Sequence, residues 1–232
     1  MMQDNMQPMQ EMDVAISSRV RLARNLKAYP FSTRMTRAQG AEILEKVKKA
    51  IFSDNDPGFS GGFTYYGMNT MKPLDRQLLV EKHLISPEFA EGQAERAAII
   101  SRDERVSILV NEEDHLRIQC IYPGMQFTEA WRRCDELDTR LDAKLGFAFD
   151  KINGYLTCCP TNVGTGIRAS VMLHLPALSM TGYIKSILET CSKIGVAVRG
   201  AYGENSEASG NMFQISNQVT LGQTEDEIIA GI

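Results

Sequence analysis

Residues 97–122 constrain the fold of this 232-residue chain more than any other stretch. Their sequence, AAIISRDERVSILVNEEDHLRIQCIY, contains three short runs rich in β-forming residues, which are separated by charged turns. Such runs predict an antiparallel meander. Helical patterns lie on both sides of the meander, so we expect an α+β fold, with a mostly antiparallel sheet flanked by helices.

Three segments have the apolar periodicity of helices. TRAQGAEILEKVKKAIF (36–52) carries an apolar stripe, and PLDRQLLVEKHLI (73–85) opens with a proline, which suits a first helical turn. FTEAWRRCDELDTRLDAKLGFAF (127–149) predicts a long helix with Thr128 as its N-cap. Its expected inward-facing residues are Trp131, Cys134, Leu137, Leu141 and Leu145.

Composition argues against several classes of protein. The 25 basic and 29 acidic residues give a net charge of -4, so no global charge directs the chain to nucleic acid or an anionic membrane. No apolar run is long enough to span a bilayer, and we expect a cytoplasmic protein. The five cysteines include no CxxC pair, which argues against a disulfide framework or a zinc site. We expect a flexible arm over residues 1–13 and one domain over 14–232.

Arginines recur outside the predicted helices, beside turns or acidic clusters. Several guanidinium groups that converge on one site would form a phosphate clamp, whereas dispersed ones would be solvated surface residues. No P-loop or GxGxxG pattern is present, so a nucleotide site here would depend on side chains. These arginines are Arg19, Arg21, Arg24, Arg117, Arg168 and Arg199.

Two acidic stretches could likewise be part of a binding site or be solvated surface segments. NEEDH, residues 111–115, places three carboxylates between two predicted strands, where their repulsion requires a cation, a metal or a basic substrate if the turn is not simply solvated. Glu204 and Glu207 form a second acidic spot in the loop YGENSEASG.

Four motifs, SSRVRLARNL, NEEDHLRIQ, CPTNVGTGIRASV and ISNQVTLG, resemble in this order the guanidino kinase (ATP:guanido phosphotransferase) family. They span nearly the whole chain. Details such as VRLARNL, RIQCIYPG and RASVMLHLPAL look more like the bacterial protein-arginine kinases of this family than like kinases of creatine or free arginine. The resemblance implies transfer of the γ-phosphoryl group of ATP to arginine residues in proteins, in stress response and protein quality control.

By motif match, the resemblance also assigns the site residues. Glu113 and Glu207 would be the catalytic carboxylates, with Glu204 as an alternative to Glu207, and Cys159 would position and polarise the guanidinium. Mg²⁺ would be held chiefly by phosphate oxygens, with Glu112 as an outer-shell partner. The expected ATP-binding residues are Ser17, Ser18, Arg19, Val20, Arg21, His83, Arg117, Arg168, Ala169, Ser170, Val171, Met172, Arg199, Gly200, Ala201, Tyr202, Gly203 and Glu204.

Departures from the pattern of small-guanidine kinases favour a protein substrate. Those enzymes carry a helical N-terminal domain that closes over the guanidine, whereas only 16 residues precede SSRVR here. Tyr202 stands where they have a phosphate-binding arginine, and Met172 stands where they have a histidine. The helical domain that follows this region in the bacterial kinases, and contributes to dimerisation, is expected to be absent.

The resemblance further implies partners and leaves two alternatives. Protein substrates with exposed arginines are expected, together with a zinc-binding activator, a heat-shock repressor and the Clp ATPase and protease; a homodimer is also expected. No direct contact with nucleic acid or membrane is expected. The alternatives are a kinase of a small guanidine such as free arginine, and a weakly active regulatory fragment that binds nucleotide or phosphoarginine.

Overall fold

A computed structural model describes residues 14–53, 59, 62–91, 95–193, 195–200 and 209–232. These residues include ten strands: β1 Ala15–Arg24, β2 Phe63–Gly67, β3 Ala97–Ser101, β4 Val106–Val110, β5 Leu116–Pro123, β6 Phe149–Asp150, β7 Gly154–Tyr155, β8 Ile167–His174, β9 Val196–Gly200 and β10 Met212–Asn217. Eight form one sheet in the order β2-β3-β4-β5-β1-β8-β10-β9, and every neighbouring pair is antiparallel. The predicted meander is therefore confirmed as β3, β4 and β5.

Helices flank this sheet, as predicted. They are α1 Arg37–Phe52, α2 Pro73–Glu81, α3 Pro87–Glu91, α4 Phe127–Leu145, α5 Pro176–Met180, α6 Ile184–Lys193 and α7 Glu225–Ala230. The fold class predicted from the sequence is confirmed. Within the described ranges, no helix is long and apolar enough to cross a membrane.

The N-cap of helix α4 lies two residues earlier than the sequence predicted. Gln126, not Thr128, is its N-cap, because Phe127 is buried in the core and its backbone already lies in the helix. The Ser18 hydroxyl accepts a hydrogen bond from the Gln126 amide at 3.0 Å, which fixes this end of α4 to β1. Cys134, Leu137 and Leu141 face inward as predicted, whereas Trp131 and Leu145 are only partly buried. The helix ends at Gly146, whose positive φ of 67° suits glycine.

The central strands of the sheet separate apolar from cationic residues. Side chains alternate between faces along a strand, so Val20 and Leu22 of β1 point to one face while Arg19 and Arg21 point to the other. Val20 and Leu22 are fully buried, in the core that α1 and α4 form against the sheet. Burial of that face anchors β1 and leaves its arginines on the opposite face.

Helices α2 and α3 cover the arginine face of the sheet at β3 and β4. At β3 and β4, Ala98, Ile100 and Leu109 point to this face and form a second core with residues of α2 and α3, including Leu79 and Phe89. Leu109 lies directly opposite Arg117 of β5, which places both on the same face. The arginines therefore begin where α2 and α3 stop.

Candidate active site

Antiparallel pairing brings three arginines from three strands together. Arg21 of β1 lies directly opposite Arg168 of β8, and Ala23, two residues further along the same face, lies opposite Arg117 of β5. Arg19 lies opposite Ser170. Positions far apart in the sequence thus form one cationic surface on the same face of the sheet.

This cluster is electrostatically strained in the absence of an anion. Burial and, to a smaller extent, the nearby Arg117 together lower the pKa of Arg19 to about 10. Burial also holds the pKa of Arg21 well below its usual range, with added repulsion from Arg117, Arg19 and Arg168. The Nε atom of Arg21 is buried and has no hydrogen-bond partner among the described residues. Phosphate oxygens would supply both the charge and the missing acceptor.

A cavity of about 390 Å³ opens over this surface. Its wall combines three arginines with two carboxylates, a thiol and small polar side chains. Both phosphate-binding and guanidinium-binding groups therefore face one space. The lining residues are Arg21, Leu22, Ala23, Glu88, Glu113, Arg117, Cys159, Thr161, Asn162, Gly166 and Arg168.

The acidic motif at 111–115 divides into residues with different contacts. Glu112 pairs with Arg117 at 2.6 Å between Oε2 and Nη2, and its other oxygen accepts a hydrogen bond from the Ser86 hydroxyl at 3.1 Å. Glu113 is exposed to the cavity. Burial raises the pKa of the Glu113 carboxyl, Asp114 and Glu112 raise it further, and Arg117 and Arg168 oppose the shift. A raised pKa makes a carboxylate a better proton acceptor.

Asp114 connects the acidic loop to the cysteine loop. Its Oδ1 accepts hydrogen bonds from the Cys158 amide at 2.7 Å and from the Asn25 side chain at 2.6 Å. The buried His115 ring accepts a hydrogen bond from the Leu26 amide at 3.0 Å through Nδ1. Asp114 and His115 are thus structural, and they hold Glu113 and Cys159 in a fixed relation.

The two adjacent cysteines have different surroundings. Cys159 lines the cavity, and its Sγ lies 3.0 Å from the Thr161 hydroxyl. Cys158 Sγ instead lies 3.4 Å from the Ser32 hydroxyl, which also donates to the Glu113 carbonyl oxygen. Burial raises the pKa of the Cys158 thiol. Only Cys159 therefore faces the space where a substrate would bind.

A buried ion pair supports the turn that carries Arg168. Arg24, which is 1% exposed, hydrogen-bonds Asp138 of α4 at 2.9 Å and the Thr165 carbonyl oxygen at 2.9 Å. Its guanidinium lies 3.4 Å from the centre of the Tyr155 ring. A Cβ at Gly166, whose φ is +65°, would lie 2.6 Å from Nη1 of Arg24, so the close approach requires glycine.

The residues predicted to bind ATP are distributed over both faces and beyond the described residues. Ser170 and Met172 share the arginine face, and His83 follows α2, its pKa lowered by burial and by Arg19. The side chains of Ser18, Val20, Ala169 and Val171 lie on the opposite, core-facing side, and Ser17 is half-buried. The backbones of Arg199 and Gly200 pair with β10. Ala201, Tyr202, Gly203, Glu204 and Glu207 lie outside the described residues.

Glu88 is a cavity residue that the sequence did not identify. It lies on α3, and it lines the same cavity as Glu113. Nothing in the local sequence SPEF distinguishes it from an ordinary exposed acid on a short helix. Only the packing of α3 against β3 and β4 brings it to the site.

No group of three or more metal-ligating side chains is found within the described part of the chain. The predicted outer-shell residue, Glu112, already pairs with Arg117 and Ser86. The described side chains therefore offer no ready-made set of Mg²⁺ ligands.

Comparisons with known proteins show which proteins this chain resembles. The chain is 56% identical over 220 residues to a protein-arginine kinase of Caldanaerobacter subterraneus subsp. tengcongensis, and 54% identical over 217 residues to one of Moorella thermoacetica. These matches cover 95% and 94% of this chain but only 65% and 62% of the relatives' length. The solved taurocyamine kinase of Schistosoma mansoni with bound transition state analog components is 29% identical, with a TM-score of 0.85 over 97% of this chain and 32% of its own.

The match to a family covers most of the chain. Residues 42–232 match the family described as ATP:guanido phosphotransferase, C-terminal catalytic domain. That range includes the acidic loop, Arg117, Cys159 and Arg168, whereas Arg19 and Arg21 lie on β1, which precedes it. The chain therefore belongs to the ATP:guanido phosphotransferase family, whose catalytic domain it carries.

Proposed function

We propose that this chain transfers the γ-phosphoryl group of ATP to the guanidinium of arginine residues in proteins. The observation that carries the proposal is the sorting of charge in one cavity, where Arg21, Arg117 and Arg168 lie with Glu113 and Cys159. ATP phosphates suit the arginines, and a guanidinium suits the carboxylate and the thiol. Relatives about half identical to this chain are protein-arginine kinases.

The geometry supports an in-line transfer. The arginines hold and neutralise the phosphates, while Glu113 orients a guanidinium nitrogen toward the γ-phosphorus. A new N–P bond forms as the bond from the γ-phosphorus to the ADP oxygen breaks, and Glu113 accepts the proton that the nitrogen loses. The raised pKa of Glu113 suits this role. Cys159 positions the guanidinium, and Glu207, or in its place Glu204, would be the second carboxylate.

Mg²⁺ would accompany ATP and neutralise charge on its phosphates. Because Glu112 is engaged by Arg117, we expect phosphate oxygens and water to hold the ion. In this arrangement Glu112 orients Arg117 toward the nucleotide rather than binding the metal directly.

A mass-spectrometric assay tests the function. Wild-type chain, ATP and Mg²⁺ are incubated with an unstructured, arginine-rich protein, and acid-labile phosphoarginine is measured. Glu113→Gln should lower kcat by about 10² to 10⁴, the usual contribution of a positioned general base. Glu129→Gln, on the exposed side of α4, is the matched control. Full activity of the Glu113 variant would contradict the mechanism.

Substrate competition separates the proposal from its alternatives. The likeness to a taurocyamine kinase favours testing small guanidines as well. If free arginine saturates the enzyme while protein arginines stay unmodified, the chain is a small-guanidine kinase. ATP binding without turnover on either substrate would indicate a regulatory fragment. Co-purification from a native host would test the zinc-binding activator, the heat-shock repressor and the Clp proteins as partners.

A further inference from the structure

We propose that Glu88 binds the substrate guanidinium together with Glu113. This inference rests on the proposed function and adds a specificity residue to it. Glu88 and Glu113 both line the cavity, although they come from α3 and from the loop after β4. The inference concerns the carboxylate of Glu88, a residue that lines the same cavity as Cys159.

The distribution of charge determines which reactant Glu88 faces. The three arginines in the cavity suit the phosphates, and a carboxylate near those phosphates would repel them. The remaining reactant is a guanidinium, which carries five N–H donors, and a single carboxylate accepts only two of them in a bidentate pair. The guanidinium therefore has N–H donors for a further carboxylate on the cavity wall, beside Glu113 and the proposed Glu207.

Helix α3 is fixed to the loop that carries Glu113. The Ser86 hydroxyl donates to Glu112 at 3.1 Å and accepts from the Phe89 amide at 3.2 Å. Arg96 joins the same two segments, since its Nε donates to the Asn111 carbonyl oxygen at 2.9 Å and its Nη1 to the Glu88 carbonyl oxygen at 3.3 Å. Phe89 is fully buried. The backbone of Glu88 therefore keeps a fixed position relative to Glu113.

The Glu88 side chain itself is available to a ligand. It is exposed, and its carboxylate makes no hydrogen bond or ion pair with any residue that the structure describes. Glu112, by contrast, is engaged by Arg117. A carboxylate held on a fixed backbone, without a cation of its own, is suited to bind a cationic substrate.

Steady-state kinetics of Glu88→Gln test the inference. We expect KM for an arginine-containing protein to rise at least about threefold, the scale of a rim ion pair, while KM for ATP stays unchanged. Glu91→Gln is the matched control, because Glu91 is exposed on the same helix and does not line the cavity. Glu88→Asp should lie between wild type and Glu88→Gln.

A neutral isostere provides the second measurement. N-acetyl-citrulline amide has the shape of N-acetyl-arginine amide without its charge, so the ratio of their inhibition constants reports on recognition of charge. Glu88→Gln should narrow that ratio at least threefold, and Glu91→Gln should leave it unchanged. A change below threefold in both KM and this ratio, or an equal change in the Glu91 variant, overturns the inference. Absence of phosphoarginine from wild-type reactions on protein would instead reject the proposed function, and the same ratio would still test Glu88 in a small-guanidine kinase.

Discussion

The carboxylate of Asp114 accepts a hydrogen bond from the backbone amide of Cys158 at 2.7 Å, and this contact joins the two loops of the site. Glu113 precedes Asp114, and Cys159 follows Cys158. This single hydrogen bond therefore holds the Glu113 carboxylate and the Cys159 thiol, which we propose to bind the guanidinium, at a fixed separation. Asp114 is buried, and the Asn25 side chain donates to the same oxygen at 2.6 Å.

Removal of this contact should lower both stability and activity. Asp114→Ala leaves the Cys158 amide without its acceptor and removes one of the two acceptors of the Asn25 side-chain amide, which should lower the free energy of unfolding by about 2 kcal/mol. Misplacement of Glu113 relative to Cys159 should lower kcat by about tenfold or more. Denaturant titration and steady-state kinetics measure the two effects. Asp135→Ala, at an exposed position of α4, is the control, and a fall in kcat no larger than in that variant would argue against the role of Asp114.

The adjacent cysteines offer an internal comparison. Cys159→Ala removes a thiol from the cavity wall and should lower kcat by about tenfold or more, because the guanidinium loses a positioning group. Cys158→Ala removes a thiol that contacts Ser32 and should change kcat by less than about threefold. Phosphoarginine formation is measured for both. Equal losses would show that the assignment of Cys159 to the site is incorrect.

The pH dependence of activity should report on Glu113. Its raised pKa places the acid limb of kcat/KM at a higher pH than an ordinary glutamate would. Glu112→Gln removes a negative charge that raises this pKa, and it releases Arg117, whose charge lowers it. Both changes act in the same direction, so the acid limb should move to lower pH. A limb that stays in place, or moves to higher pH, would exclude Glu113 as the titrating base; Glu129→Gln provides the reference profile.

The arginine cluster should lower the stability of the free protein and strengthen its binding of ATP. Arg21→Met removes a partly buried cation that three other arginines repel, so we expect the free energy of unfolding to rise by about 1 kcal/mol in anion-free buffer. The same variant should bind ATP at least about 100-fold more weakly and gain little thermal stability from it. Thermal unfolding with and without ATP measures both effects. Arg34→Met, at an exposed position, should show neither; a less stable Arg21 variant would contradict the proposed strain.

The buried ion pair beneath the site should matter for folding. Asp138→Asn leaves Arg24 buried without its counter-charge, at a cost of about 3 to 5 kcal/mol in the free energy of unfolding. Asp135→Asn on the exposed side of the same helix should cost less than about 0.5 kcal/mol. Urea titration distinguishes the two. A small effect of Asp138→Asn would contradict this prediction and would show that water or another group compensates the charge of Arg24 in the variant.

The elements that could be predicted from the sequence are those that depend on local residue patterns. The meander, α1 and the inward face of α4 follow from β-forming runs and helical periodicity, and the structure confirms them. The predicted N-cap of α4 was wrong by two residues, because burial of Phe127 outweighed the capping preference of Thr128. The spacing of the arginines in the sequence did not decide whether they cluster or are dispersed over the surface. That depends on which strands become neighbours in the sheet.

The sequence by itself determined the family, the α+β class and the residue types of the site, because motifs and periodicity are local properties of a chain. Only the tertiary structure decided that β1 lies between β5 and β8. In this order Arg21 lies opposite Arg168, and Arg117 lies opposite Ala23, two residues along β1 from Arg21. It likewise decided that Cys159 faces the cavity while Cys158 does not, and that Glu88 lies on its wall. Strand order and helix packing are set by burial of apolar faces across the whole domain, and no short stretch of sequence records them.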